Sequence, residues 1–236
     1  MKILALIPAR GGSKRIPGKN LRLLGGKPLV CWSIDVALGL PELCDILAST
    51  DDAAIAQVAT EAGALVPWLR PAELATDTAS SVAVALHALD WYERAKGEVD
   101  GLLLLQPTSP FRTRATVERG IALFREHGGR PVLGVSPAQS HPAWCFRIEQ
   151  GSMRPWLGQG MDLARSQDLE PAYALNGAFY LIRPKDLRAR QTFYSDSAVP
   201  LLVDDLVEGL DIDTEWDWQI AEAALDVLKR SGRPDG

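Results

Sequence analysis

Residues 2–27 read KILALIPARGGSKRIPGKNLRLLGGK, and their order decides the fold. Lys2–Ile7 is a near-continuous apolar run of strand length, the pattern of a strand buried on both faces of a parallel sheet. The glycine-rich segment 9–27 follows, and Pro28 opens a helix at its favoured first position, carried to about Leu40. Strand, loop and helix in this order make the first unit of an α/β domain. Residues 10–27 hold Arg10, Lys14, Arg15, Lys19, Arg22 and Lys27 and no acid at all. Setting these six aside leaves 19 bases against 30 acids in a chain whose net charge is -5. One cationic loop on an acidic protein points to a compact polyanionic ligand, held where α/β sheets bind ligands, at the carboxyl ends of strands.

The alternation continues outward. Strands are expected at Asp45–Ser49, Ala64–Pro67, Gly101–Leu105, Val132–Ser136, Gly177–Ile182 and near Val199–Val203, with Asp211–Asp213 ending a short one. Helices are expected over Asp52–Ala62, Val82–Ala95, Arg114–His127 and Thr214 to about Lys229. This is an α/β fold with a mostly parallel sheet, one domain spanning 1–236. The rhythm breaks at Pro137. Within 137–171, Trp144, Phe146 and Ile148 alternate with Cys145, Arg147 and Glu149, and Gln150-Gly151-Ser152 reads as a turn. We read this stretch as an inserted β-hairpin arm, too short to bury its own apolar face and therefore a dimerisation element.

Composition excludes several classes. The 236 residues are 47% hydrophobic and 23% charged, an ordinary globular balance. No apolar run approaches the ~18 residues of a membrane-spanning helix, and the first 30 residues lack a secretory pattern. Three widely spaced cysteines without a C-x-x-C suggest reduced thiols and a cytoplasmic location. A pI near 5.3 argues against nucleic acid as a partner. The loop is neither a Walker A nor a G-x-G-x-x-G sequence, and no G-x-S-x-G, H-E-x-x-H or zinc-spaced Cys/His set is present.

Chemistry gathers in three further places. In DIDTEWDW, an extended chain puts Asp211 and Asp213 on one face and Ile212 on the other. Two carboxylates joined by substrate phosphates are a usual way to hold Mg²⁺. Thr214 and Asp217 have the spacing of a capping box and belong to the helix start. RPAELATDTASS (70–81) and LLQPTSPFRT (104–113) border strand ends. Asp77 or Ser80 could cap the helix that follows the first, and Thr113 the helix after the second. Arg70, Gln106 and Arg112 have no such structural reading. Asn176-Gly177 fits a turn entering a strand.

Taken together, LIPARGGSKRIPGKN, RPAELATDTASS, LLQPTSPFRT, NGAFYLI and DIDTEWDW resemble the acylneuraminate cytidylyltransferases, the CMP-sialic acid synthetases, over nearly the whole chain. The resemblance implies a Rossmann-like nucleotidyltransferase domain and a homodimer in which each arm reaches the partner's site. It implies CTP as nucleotide and a 2-keto-3-deoxy nonulosonic acid as acceptor: N-acetylneuraminate, legionaminate, pseudaminate or the deaminated sugar. Carried onto this chain, it makes Arg10 and Lys19 the triphosphate ligands, with Ser13 and Asn20 beside them. Arg70 and Ser81 then hold base and ribose, Gln106 and Asn176 face the sugar acid, Asp211 and Asp213 hold the metal, and Arg165 takes an active-site role. The chain reads Arg-Ser-Gln-Asp at 165–168 where Arg-Arg-Gln-Asp is commoner, and HPAW at 141–144 where some relatives carry lysine after His-Pro. The related CMP-Kdo synthetases share the opening loop but not the LQPTSPFR stretch. A non-catalytic nucleotide-binding protein on this fold is the third possibility, and the Asp211/Asp213 pair counts against it.

Overall fold

The computed structural model describes residues 1–157 and 169–230. In chain order the elements are β1 (Ile3–Pro8), β2 (Leu23–Leu24), β3 (Lys27–Pro28), α1 (Leu29–Ala37), β4 (Leu43–Ser49), α2 (Ala53–Glu61), α3 (Ser81–Lys96) and β5 (Gly101–Leu104). They continue with α4 (Arg114–Glu126), β6 (Val132–Pro137), β7 (Phe146–Glu149), β8 (Ser152–Pro155), β9 (Tyr173–Ile182), α5 (Pro184–Arg190), β10 (Val199–Leu202) and α6 (Glu215–Arg230). Six strands form one sheet in the order β10-β6-β9-β5-β1-β4. The pairs β1/β4, β1/β5 and β6/β10 are parallel, and β9 runs antiparallel between β5 and β6.

The continuous apolar strands have the expected cause. Along β1, Ile3, Ala5 and Ile7 pack with α1, α2 and α4, while Leu4 and Leu6 pack with α3 and α5 on the other face. A third cluster packs α6, through Trp218, Ala221 and Leu225, against Ile16, Leu24, Leu29, Trp32 and Ile212. That cluster brings the C-terminal acidic segment onto the N-terminal basic loop.

Several boundaries differ from the sequence reading. Pro28 precedes the helix instead of opening it, because its backbone pairs with Leu23 across the Gly25-Gly26 turn. Both glycines have positive φ, the conformation such a two-residue hairpin demands. Ala64–Pro67 makes one bridge, Leu65 to Leu47, and no strand; Pro67 has no N–H with which to extend the ladder. β9 begins at Tyr173 rather than Gly177, so Asn176-Gly177 lies inside the strand, where the register with β6 shifts between Leu133 and Val135. Asp211–Asp213 forms no strand; Ile212 instead donates its N–H to Thr108 O at 2.8 Å. Helix α5 was not expected, although Pro184 at its start and Arg188 and Arg190 in its last turn were legible. β7 and β8 pair antiparallel as the hairpin, with every residue of both exposed.

Candidate active site

The loop after β1 is folded, not merely solvated. Ile16 is fully buried, Gly11 N–H donates to Asp51 Oδ1 at 3.0 Å, and buried Asn20 donates its amide to Arg10 O at 2.8 Å. Four of the six cations turn toward two carboxylates. Arg10 Nη1 lies 2.7 Å from Asp77 Oδ1, and Lys14 pairs with the other oxygen of Asp77. Arg15 and Lys19 reach Asp213 at 3.2 and 3.5 Å, and Lys19 also donates to Ile212 O at 2.8 Å. The other two cations brace helices. Arg22 bonds Glu215 at 2.7 Å and stacks over Trp218, and Lys27 pairs with Asp35.

Asp77 is thus not a helix cap. Ser80 caps α3 by accepting from Ala83 N–H, as Thr113 caps α4 through Thr116 N–H. Hydrogen bonds from Lys14 and Arg10 hold the Asp77 carboxyl below the usual carboxylate range. The capping box at α6 is present: Thr214 Oγ1 accepts from Asp217 N–H, and Asp217 Oδ2 accepts from Thr214 N–H at 2.7 Å. Burial pushes the Asp217 carboxyl up, but the bonds from Thr214 and from Asp213 N–H outweigh it and leave it below its ordinary value.

Seven of the expected residues share one cleft of about 250 Å³. Arg10, Ser13, Lys19 and Asn20 come from the loop, Arg70 and Ser81 from either end of the 70–81 segment, and Gln106 from the end of β5. A second cavity, lined by Arg10, Ser13, Lys14, Arg15, Lys19, Asp77 and Asp213, adjoins it through shared residues. A third, of about 600 Å³, shares Gln106 with the first and is lined further by Asn176, Tyr180 and Asp211. Among the described residues, no Lys, Arg or His lines the third. Asp211 and Asp213 therefore open into different neighbouring cavities, on either side of buried Ile212. Burial raises the Asp211 carboxyl above the usual range, and nearby Asp213 adds to this, while a hydrogen bond from Thr108 opposes it.

The two arginines that lacked a structural reading have one. Arg70 Nε donates to Ser49 Oγ at 2.9 Å, a second guanidinium nitrogen bonds Ser49 O, and burial lowers its pKa to about 10. It locks the end of β4 while lining the cleft. Arg112 is 1% exposed and bonds Ala178 O, Ser33 Oγ and Gln106 O. It fixes the backbone of Gln106 relative to β9 and α1. Asn176 lines the third cavity, but its amide is spent within the protein, donating to Ser136 Oγ and accepting from Ala178 N–H. Arg165 lies outside the described residues. Tyr180, Thr108 and Asp77 were not singled out as site residues. No single-chain pattern announces a pair between residues 67 apart such as Arg10 and Asp77.

The comparisons with known proteins bear on this arrangement. Residues 4–110 match the family model described as cytidylyltransferase. The CMP-N,N'-diacetyllegionaminic acid synthase of Legionella pneumophila is 41% identical, over 96% of this chain and 97% of that one. The N-acylneuraminate cytidylyltransferase of Streptococcus agalactiae is 32% identical over 83% of this chain and 46% of its own length. Among solved structures, a CMP:2-keto-3-deoxy-manno-octonic acid synthetase complexed with CTP superimposes with a TM-score of 0.71 at 17% identity, covering 96% of this chain and 99% of that one. At that identity the last likeness shows the fold, a nucleotidyltransferase fold, and no more. The sequence relationship, sustained along nearly the entire chain, goes further: the protein is a nucleotidyltransferase enzyme that belongs to the acylneuraminate cytidylyltransferase family.

Proposed function

We propose that this enzyme joins CMP from CTP to the anomeric hydroxyl of a nonulosonic acid and releases pyrophosphate. The observation that carries the reading is the division of charge between adjoining cavities. One is ringed by Arg10, Lys14, Arg15 and Lys19, the other has no cation among its described lining residues, and Gln106 lines the third cavity and the cleft that joins them. A triphosphate suits the first environment, a hydroxylated acceptor the second. The acceptor hydroxyl attacks the α-phosphorus and gives up its proton to solvent, an oxygen–phosphorus bond forms, and the α–β anhydride bond breaks with its electron pair leaving on pyrophosphate. Such a transfer asks the protein mainly for alignment and charge stabilisation.

Arg10 and Lys19 would stabilise charge on the departing pyrophosphate, with Ser13 and Asn20 along the phosphates. Arg70 and Ser81 would flank base and ribose, and Gln106 and Asn176 the acceptor. Asp211 and Asp213 offer the hard oxygen donors that suit Mg²⁺, which would neutralise phosphate charge when bound. Incubation with CTP, Mg²⁺ and a nonulosonic acid should yield one pyrophosphate per CMP-sugar. Tight CTP binding without turnover would favour the non-catalytic alternative.

In the free cleft Asp77 occupies the cations that the triphosphate needs. Asp77→Asn should therefore tighten CTP binding, by up to about fivefold given the modest worth of exposed ion pairs. Calorimetric titration of CTP at low and moderate salt checks this; weaker binding would make Asp77 a support for the loop rather than a competitor.

The same reading makes the protein a cytoplasmic homodimer. In its support, the three cysteines are free, and no helix among the described residues is long and apolar enough to cross a membrane. On one face of the hairpin Ile148 is 79% exposed, with Met153 paired to it and Phe146 two residues away, and Trp156, just after β8, is 64% exposed. A two-fold contact would bury this face. Sedimentation at micromolar concentration should give twice the 25.6 kDa chain mass; a clean monomer would contradict the assignment.

A further inference from the structure

The third cavity has a wall that the proposed chemistry leaves unexplained. Leu206, Leu175 and Leu210, with Ala138 and Ala174, line it near Gln106 and Asp211. Leu206 is 84% exposed and belongs to none of the three core clusters, although Val203 and Val207 on either side of it pack inward. A lone exposed leucine on a convex surface needs no explanation. One that lines the concave acceptor cavity itself is available to a ligand. Leu175, 53% exposed, lines the same cavity from β9.

The occupant follows from what apolar carbon can recognise on a polyhydroxylated acid. Hydroxyl groups gain nothing against leucine, and a triphosphate is disfavoured beside Asp211 and Asp217 in a cavity with no cation among its described lining residues. What gains from such a wall on a nonulosonic acid is a methyl group, either that of an N-acyl substituent or the terminal carbon of a 9-deoxy sugar, and the N-acyl methyl reaches further from the ring. Resting on the function proposed above, we infer that Leu206 is a specificity-determining residue of the acceptor site: it packs against N-acyl methyl groups and favours a doubly N-acylated nonulosonic acid over a singly N-acylated one. In a hydrophobic pocket, one methyl-sized contact discriminates about 10- to 200-fold. A wall as open as this one belongs at the lower end.

The test is steady-state kinetics at saturating CTP with N,N'-diacetyllegionaminate or 9-deoxy-N-acetylneuraminate varied, a pair that shares the terminal methyl and differs in the second N-acyl group. Wild-type protein should prefer the diacetylated acceptor. Leu206→Ser should lower kcat/KM for it about tenfold, with the loss carried by the acceptor's KM and not by that of CTP. The loss with the singly N-acetylated acceptor should be smaller, so the ratio between acceptors shrinks, and Leu206→Met should restore it. An unchanged ratio in Leu206→Ser would overturn the inference, and so would an equal loss with both acceptors or a changed sedimentation coefficient. Wild-type protein that turns over pseudaminate or the deaminated sugar but neither of these acceptors would also overturn the inference, whereas turnover of no nonulosonic acid at all would instead overturn the function on which it rests.

Discussion

Lys19→Ala should lose roughly 10²–10³-fold in turnover, the usual cost of removing one preorganised charge donor at developing negative charge. Lys19 is placed for this as no other loop cation is. Its side chain is only 12% exposed, it lines both the cleft and the adjoining cationic cavity, and it spans to Ile212 O and Asp213. It therefore stands at the seam between the basic loop and the acidic segment, where phosphate and metal would meet. Arg10→Ala should cost a similar factor. Arg15, at 69% side-chain exposure, pairs with Asp213 at the surface and should matter less. Turnover measured for the three variants under saturating substrates decides the order. If Arg15→Ala is slower than Lys19→Ala, the triphosphate lies along the loop in another direction.

The second large effect is expected at the carboxylate pair. Asp211→Asn and Asp213→Asn keep shape and one carbonyl oxygen but remove a charge, so Mg²⁺-dependent turnover should fall by roughly 10² or more. Stability without nucleotide should move differently. The Asp211 carboxyl is raised, so the folded state binds its proton more readily than the unfolded chain does. Its ionisation is a penalty that grows as pH rises through the ordinary carboxylate range. Asp211→Asn should hold or slightly raise the melting temperature at neutral pH and flatten that part of its pH dependence. Asp213→Asn gives up exposed contacts to Arg15 and Lys19 and should leave stability nearly unchanged. Asp217→Asn should do the reverse of both. It weakens the cap of α6 and should cost up to ~1 kcal/mol while most activity remains. Because the Asp217 carboxyl is lowered, that stability is present above the ordinary carboxylate pKa and lost as pH falls below it. Paired melting curves and Mg²⁺ titrations of the three variants separate metal ligands from cap. Wild-type turnover in Asp213→Asn at the same Mg²⁺ would end the metal assignment.

What was legible in the sequence follows from locality. β1 was readable because a strand buried on both faces carries its apolar pattern on every residue, and α2, α3 and α4 because each carries its own stop or cap. Asn176 was misplaced because the antiparallel β9 is defined by its neighbours β5 and β6, and the polar start of that strand looks like loop until those neighbours are known. Asp211–Asp213 was expected to be a strand from its alternation. Three residues suffice for the alternation, but a strand also needs a partner ladder, and Thr108 offers a single backbone bond. Within the site, the cationic loop, the Gln106 stretch and the capping box were visible as composition and spacing. The buried bonding of Arg70 and Arg112 was not, since nothing local tells a ligand-binding arginine from one spent on distant carbonyl groups. Nor was the pairing of Arg10 and Lys14 with Asp77, which only the folded chain brings together.

Cytidylyl transfer to a nonulosonic acid is read out by pyrophosphate release from the purified protein with Mg²⁺. Each of CTP, UTP, ATP and GTP should be crossed with N-acetylneuraminate, N,N'-diacetyllegionaminate, pseudaminate, the deaminated sugar and Kdo. Release confined to CTP with one or more of the nonulosonic acids is the result predicted. Release with Kdo alone, or from another nucleotide in preference to CTP, would contradict it.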